Sequence, residues 1–318
     1  MRFIYSVLLL LAMGAAHAQG YPSRPIKVVV PYAPGGLPDT IARILGVKLG
    51  ETLGQQVVVE NMGGAGGISG VSEVVKSPAD GYTLLIADVG QIAINPHIFT
   101  KLPYAPLKDL APVSLIGTSP LYLVAHPSVP ASSLKELVAL AKAQPGKLNY
   151  GSSGIGSIHH LATEALKSGF GIDIVHVPYK GTGQSVPALL GGQVALLYSA
   201  LPSIAGHLKE GKVKMLAIST LKRSPQTPDV PTVAESGIPG YDFVAEIGML
   251  APAGTPREVV NRLAGEVAKA VKQPDVVQRF TQLGIDPVGS TPEAYGQGNK
   301  AAYEKYATIV KATGAKID

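Results

Sequence analysis

From Ile26 onward, short apolar runs alternate with stretches in which apolar residues recur every three or four positions. Such alternation predicts strands and amphipathic helices in succession, as in α/β units built around largely parallel sheets. Ile26 to Val30 is dominated by β-branched residues and predicts a buried strand. Ile41, Ile44, Leu45, Leu49 and Leu53 then fall near helical spacing, predicting a helix over Thr40 to Leu53. A strand is predicted over 56–60, a helix over 68–76 and a strand over 83–87, the last introduced by the Asp80-Gly81 turn. After a proline-punctuated connection from Pro96 to Pro112 comes a strand over 121–125. Beyond it the pattern predicts helices over 132–143, 158–167 and 183–190, with strands near Leu148 and over 174–177, 194–198 and 213–219. Residues 224–240 are rich in proline and glycine; a strand over 243–250 and helices over 256–271, 275–283 and 292–312 close the chain.

Two glycine-rich turns stand where a predicted strand gives way to a helix. The first is YAPGGLPD, Tyr32 to Asp39, and the second is YGSSGIGS, Tyr150 to Ser157. Glycine allows a tight turn and close backbone approach, and the following helix offers unpaired N–H groups at the positive end of its dipole. Facing each other, the turns would clamp an anion. Gly151, Gly154 and Gly156 do not have dinucleotide spacing, and no Gly-Lys-Ser/Thr follows any glycine loop, which argues against a nucleotide. Ser152, Ser153 and Ser157 add hydroxyl donors that bare turn geometry does not need, so a carboxylate is the simplest ligand.

The order of elements predicts one domain built from both chain ends, residues 19–122 with 245–318, and a second, 123–244, inserted between them. Strands 121–125 and 243–250 would cross between the two, leaving a ligand cleft at a hinge. At the start, Arg2, an apolar run and Ala16-His17-Ala18 read as an export signal ending at residue 18, too short for a membrane span. A periplasmic protein is therefore expected. Counted over the chain, 27 Lys and Arg stand against 22 Asp and Glu without a basic stripe, which argues against nucleic acid. Absence of cysteine excludes disulfides and thiol chemistry. No metal or other cofactor is expected: His160 and Glu164 lie one helical turn apart, but spacing supplies no third ligand. Catalytic spacing is also missing, since Ile155 stands where a nucleophile elbow needs its last glycine. A hydrolase using His160 and a turn serine is the weaker alternative. Asp39, in the first turn of its helix, is read as orienting the loop, and Tyr32, Tyr150, Tyr179 and Tyr198 as falling at strand ends where ligands bind.

With these residues in view, the chain resembles a known family. PSRPIKVVVPYAPGGLPD, VVVENMGGAGGISG, ADGYTLLIA, AINPHIFTKLPY, LNYGSSGIGSIHHLA, VPYKGTGQSVPALLGGQV, PDVPTVAESGIPGYDF and LAPAGTPREVVNRL resemble, in order, the Bug-type substrate-binding proteins of tripartite tricarboxylate transporters. The resemblance implies a type II-like periplasmic-binding-protein fold, two α/β domains with an interdomain cleft. It also implies a non-catalytic receptor, expected to be a monomer, that passes a carboxylate to membrane transport subunits; sensing through a membrane receptor is the alternative role. Carried over by position, the first turn contributes Tyr32, Gly35, Gly36 and Asp39, and the second Ser152, Ser153, Gly154, Gly156, Ser157 and His160. Asp88, Gln91 and Asn95 would approach the far end of the ligand, with Tyr179 covering it. Ala195 and Ser199 replace aspartates often found in the family, and Glu246 replaces a tryptophan. With Ser199 and Glu246 so changed, an aromatic or dicarboxylic acid is expected rather than an amino acid or citrate.

Overall fold

A computed structural model describes residues 20–315; the expected export signal over residues 1–18 lies outside the described residues. The chain opens with β1 (Ile26–Val30), α1 (Leu37–Leu53), β2 (Val57–Asn61), α2 (Ile68–Val75) and β3 (Thr83–Ala87). Strand β1 lies between β2 and β3 and runs parallel to both. Ile41, Leu45 and Leu49 of α1, spaced one turn apart, are almost fully buried. Each such side chain contributes roughly 1.5–3 kcal/mol when removed from water. Gly54 closes α1 at φ 68°, a left-handed conformation that favours glycine. At its other end α1 begins at Leu37, three residues before the sequence expectation. Pro38 lies in the first turn, where its missing N–H has no helical partner to lose, so the helix starts directly after Gly36.

Beyond β3 come a π-type turn over Gly90–Ile94 and two four-residue helices, α3 (Asn95–Ile98) and α4 (Pro106–Asp109). They lead into β4 (Leu110–Pro120), an eleven-residue strand that the predicted proline-punctuated connection to Pro112 overlooks. Pro112 is tolerated beside a register shift in the pairing of β4 with β10, between Met249 and Leu250, and Pro120 is the last residue of the strand. β5 (Tyr122–Ala125) follows after Leu121, but belongs to a different sheet. The expected crossing strand is thus two strands, and the chain crosses at one buried residue.

The second sheet takes up α5 (Leu134–Ala143), β6 (Asn149–Ser152), α6 (Ile158–Phe170), β7 (Val175–Pro178), α7 (Thr182–Leu190), β8 (Leu196–Ser199), α8 (Leu201–Lys209) and β9 (Lys214–Ile218). Its order is β7-β6-β8-β5-β9, with β6 parallel to both neighbours and β5 antiparallel to both of its own. Helix α8 has no counterpart in the sequence reading. Its Pro202 sits in the first turn, where proline starts a helix rather than breaks one.

Residues 219–243 return the chain to β10 (Val244–Pro252), which pairs antiparallel with β3 and β4. After α9 (Arg257–Ala270), α10 (Pro274–Gln282) and the short β11 (Asp286–Pro287), helix α11 (Pro292–Thr313) packs on β4 and the π-type turn and touches α6. The first sheet has the order β11-β4-β10-β3-β1-β2. Each sheet therefore has one strand flanked on both sides by parallel neighbours, β1 in one and β6 in the other. A glycine turn follows each of them, at the point where strand order reverses and open α/β sheets leave a crevice.

Candidate functional site

Four helices direct their N-termini at the space between the sheets. Gly36 caps α1, Ser157 caps α6, Gly181 caps α7 and Ala200 caps α8. Gly36, Leu37 and Pro38 of the first, His159 of the second, Thr182 of the third and Ala200 of the fourth line one narrow cavity. The rest of its wall is Tyr32, Asp88, Leu121, Ser153, Ala245 and Ile247. No lysine or arginine is among these lining residues. Positive potential comes instead from helix ends, each equivalent to roughly half an elementary charge. Backbone N–H groups and helix dipoles fixed by the fold need no reorganisation to receive an anion.

The two sides of the cavity touch at their rims. Ala33 N–H donates to the Lys180 carbonyl at 2.9 Å, and Ser203 Oγ–H donates to the Gly35 carbonyl at 3.3 Å. A Cβ placed on Gly36 would come within 2.7 Å of Thr182 Oγ1, and one on Gly183 within 1.9 Å of the Pro34 carbonyl oxygen. Glycine at both positions is what lets the rims meet.

Asp88 sits at the end of β3 and is 2% exposed. Its Oδ1 accepts the Gly90 N–H at 2.7 Å, and the Tyr32 hydroxyl points at both carboxylate oxygens, 3.0 and 3.1 Å away. Burial raises the Asp88 carboxyl to about 6, against the lowering pull of Gly90 N–H and the Tyr32 hydroxyl. His159 is buried with Nδ1 unpartnered, and burial lowers its imidazole to about 4, so it is neutral at pH 7. Ser153, 4% exposed, turns into the cavity.

Of the residues expected from sequence, Tyr32, Gly36, Asp88 and Ser153 line this cavity. Gly35 lies beside it, and its N–H is taken by Asp39 Oδ2 at 2.9 Å, while Arg43 Nη2 reaches Asp39 Oδ1 at 3.0 Å. Asp39 thus folds back onto the loop that it caps. Gln91 and Asn95 are fully buried, and their amides donate to the Gly66 carbonyl at 3.2 and 2.9 Å. Both hold a third glycine loop, residues 63–67, against the site rather than face the cavity. Gly154 and Gly156, at φ 120° and 78°, shape the second turn, and Ser157 Oγ accepts the His160 N–H at 3.2 Å.

Ser152, the neighbour of Ser153, is committed to the turn: its Oγ lies 2.7 Å from His176 Nε2 and accepts the Gly154 N–H at 3.1 Å. His160 accepts the Gly156 N–H on Nδ1 and stacks on His176 with centroids 4.3 Å apart. It does not line the cavity, and Glu164 is taken by the Tyr150 hydroxyl and Lys167. Tyr179 packs against the apolar cluster under β5 and β8, and Tyr198 is buried with its hydroxyl 2.9 Å from that of Tyr241. Ser199 Oγ donates to the Ala200 carbonyl. Glu246 falls between Ala245 and Ile247 on β10; because successive strand side chains alternate in face, the two apolar residues line the cavity and Glu246 does not. Burial raises the Glu246 carboxyl.

Thr182, His159, Leu37, Pro38, Leu121, Ala200, Ala245 and Ile247 are the lining residues that the sequence reading missed. Two had a usable signal. The Ser157 cap sets the phase of α6 and so distinguishes His159 from His160, and Gly181-Thr182-Gly183 is a further glycine-flanked helix start.

Residues 41–315 match the model of the tripartite tricarboxylate transporter family receptor. The chain belongs to this family. BugT of Bordetella pertussis is 39% identical over 301 residues, covering 94% of this chain and 92% of that protein. An R. palustris protein solved with adipate superposes with a TM-score of 0.90 at 35% identity, over 92% of this chain and 98% of its own. MatC from Rhodopseudomonas palustris, solved with bound malate, superposes with a TM-score of 0.88 at 35% identity, over 91% of this chain and 100% of its own. The fold is accordingly that of the family's periplasmic binding proteins, and the chain is a solute-binding receptor rather than an enzyme. As a receptor of this family it needs no nucleophile, and the Ser152–His176 approach serves to hold the second turn.

Proposed function

We propose that this receptor binds a small organic carboxylate in the periplasm, between its two glycine turns, and passes it to the membrane subunits of a tripartite tricarboxylate-type transporter. The observation that carries the reading is the convergence of four helix N-termini on one cavity without a lysine or arginine in its wall. Such a site attracts an anion through fixed backbone dipoles and leaves the remaining wall free to recognise the carbon skeleton. Leu37, Pro38, Leu121, Ala200, Ala245 and Ile247 supply that apolar wall, and Ser153 and Thr182 supply hydroxyls. Structural relatives solved with adipate and malate favour a linear dicarboxylate over an aromatic acid. So does the cavity, because of the four tyrosines at strand ends only Tyr32 lines it.

In this reading the segments from both chain ends that build the first sheet form one lobe and the segment that builds the second sheet forms the other, with Leu121 and residues 219–243 as the hinge. Ligand binding favours the closed arrangement through its differential affinity for it. A thermal-shift screen of mono- and dicarboxylates on ligand-free protein tests the proposal. An acid at 100 times its dissociation constant should stabilise the protein by about 2.7 kcal/mol. If a broad panel of acids left the transition unmoved while a neutral solute raised it, the carboxylate reading would be wrong.

A further inference from the structure

Resting on the carboxylate reading, we propose that Asp88 takes up a proton when a dicarboxylate enters the cavity, so that the receptor binds its ligand together with one hydrogen ion. Asp88 is a buried acid in the wall of a cavity otherwise built for anions. Among the described residues, no lysine, arginine or histidine nitrogen forms an ion pair with it within 4.0 Å; its partners are the Tyr32 hydroxyl and the Gly90 N–H. The titratable groups around it bring no positive charge at pH 7. Tyr32, Tyr104, Tyr295 and Tyr306 are all raised, burial being the largest cause, and stay neutral. His159, on the α6 side of the cavity, is held neutral by burial, and Glu246, whose charge is felt by Tyr295 and Tyr306, is itself an acid.

One carboxylate of the ligand at the glycine turns places the other toward Asp88, because Gly36 and Asp88 line the same cavity. Two carboxylates facing each other in a dry site do not both stay ionised. A proton from solvent resolves the conflict, converting an anion pair into a carboxylic acid donating to a carboxylate, a short and strong hydrogen bond. Oδ2 is the oxygen that can carry it. Oδ1 is occupied at 2.7 Å by the Gly90 N–H, whereas Oδ2 has only the longer approach of the Tyr32 hydroxyl at 3.1 Å. The step balances as one proton transfer: an O–H bond forms at Oδ2, the donor's bond to that proton breaks in solvent or buffer, and the ligand enters fully ionised. Free Asp88, raised to about 6 mainly by burial, is mostly ionised at pH 7 and has a proton to gain.

Isothermal titration calorimetry of the intact protein with adipate, in two buffers of different ionisation enthalpy at pH 7.5, reads the proton directly. Close to one proton should be taken up per adipate, and affinity should fall about 50-fold between pH 6 and pH 8. Asp88→Asn, with a neutral side chain that still accepts from Gly90, should bind adipate with no proton uptake and a flat pH profile. Binding of adipate to the wild-type protein without proton uptake would overturn the proposal and leave the carboxylate reading standing. If neither adipate nor malate bound wild-type or variant anywhere between pH 6 and pH 8, while a neutral solute did, both would fall. The wild-type measurement decides the matter even if the variant does not fold.

Discussion

Gly183→Ala should weaken ligand binding without weakening the fold. Gly183 is the second residue of α7, and its added methyl carbon would stand 1.9 Å from the Pro34 carbonyl oxygen across the rim. Carbon and oxygen do not approach below about 3 Å without large repulsion, so the rims must part by about 1 Å or more. The obstacle is backbone rather than a flexible side chain, so it cannot be turned aside. Parting gives up the Ala33–Lys180 and Ser203–Gly35 hydrogen bonds, at 2.9 and 3.3 Å. At roughly 0.5–1.5 kcal/mol net for each, the closed arrangement loses about 1–3 kcal/mol. If the ligand is held only there, the loss passes in full to its affinity, a factor of about 5–150. Alanine is meanwhile the better helix former, so the unliganded protein should melt at the same temperature or higher. Calorimetric titration with a carboxylate from the thermal-shift screen gives the first quantity, and thermal unfolding without ligand the second. Gly206→Ala in α8, where an added Cβ meets nothing within 4 Å, is the control that should leave binding unaltered and melt at the same temperature or higher. Wild-type affinity in Gly183→Ala, or an equal loss in the control, would refute rim contact as a requirement for binding.

Three further outcomes are expected. With its folded value raised from 3.8 to about 6 by burial, ionised Asp88 lowers stability by about 3 kcal/mol above pH 6, a penalty that disappears below pH 4; urea unfolding should therefore show Asp88→Asn more stable than wild type at pH 8 and no different at pH 4. Adjacent serines should separate: Ser152→Ala strips a buried hydroxyl from His176 and the Gly154 N–H and should cost about 1–3 kcal/mol of stability, whereas Ser153→Ala should leave denaturant midpoints alone and lower affinity. Gly36→Val should abolish detectable binding at millimolar carboxylate with a near wild-type melting temperature, because φ −83° is open to any residue but the new side chain projects toward Thr182 Oγ1, 2.7 Å from its Cβ.

Much of this architecture is readable from residue patterns. The strand over 83–87 coincides with β3, and helix starts at 158 and 292 coincide with α6 and α11, where Ser157 and Thr291 cap with their side chains. Proline misled in both directions. Pro112 hid the start of β4, where it sits beside a register shift in the pairing with β10, and Pro202 occupies the first turn of α8, which the pattern did not predict. At the site, position along the chain identified the turns but not which atoms point inward. Ser152 and Ser153 read alike in sequence, and only the side-chain alternation at the end of β6 sends one to His176 and the other to the cavity. Gln91 and Asn95 had the composition of ligand contacts, yet their amides go to Gly66, because a buried loop carbonyl needs donors and these two stand opposite it. The apolar half of the wall carries no motif; Leu121, Ala245 and Ile247 meet only when the two crossings between the sheets come side by side.

Leu121 is both the point where the chain leaves one sheet for the other and a piece of the cavity wall. In the proposed two-lobed closure, the pivot of a pair of tongs would lie against the object being gripped. A ligand slightly too bulky at Leu121 would wedge the jaws from the inside, where a small displacement is multiplied at the distant rims. Substitutions there should therefore change size selectivity and the angle of closure together, and this receptor would gauge the girth of its cargo at the fulcrum rather than at the lips.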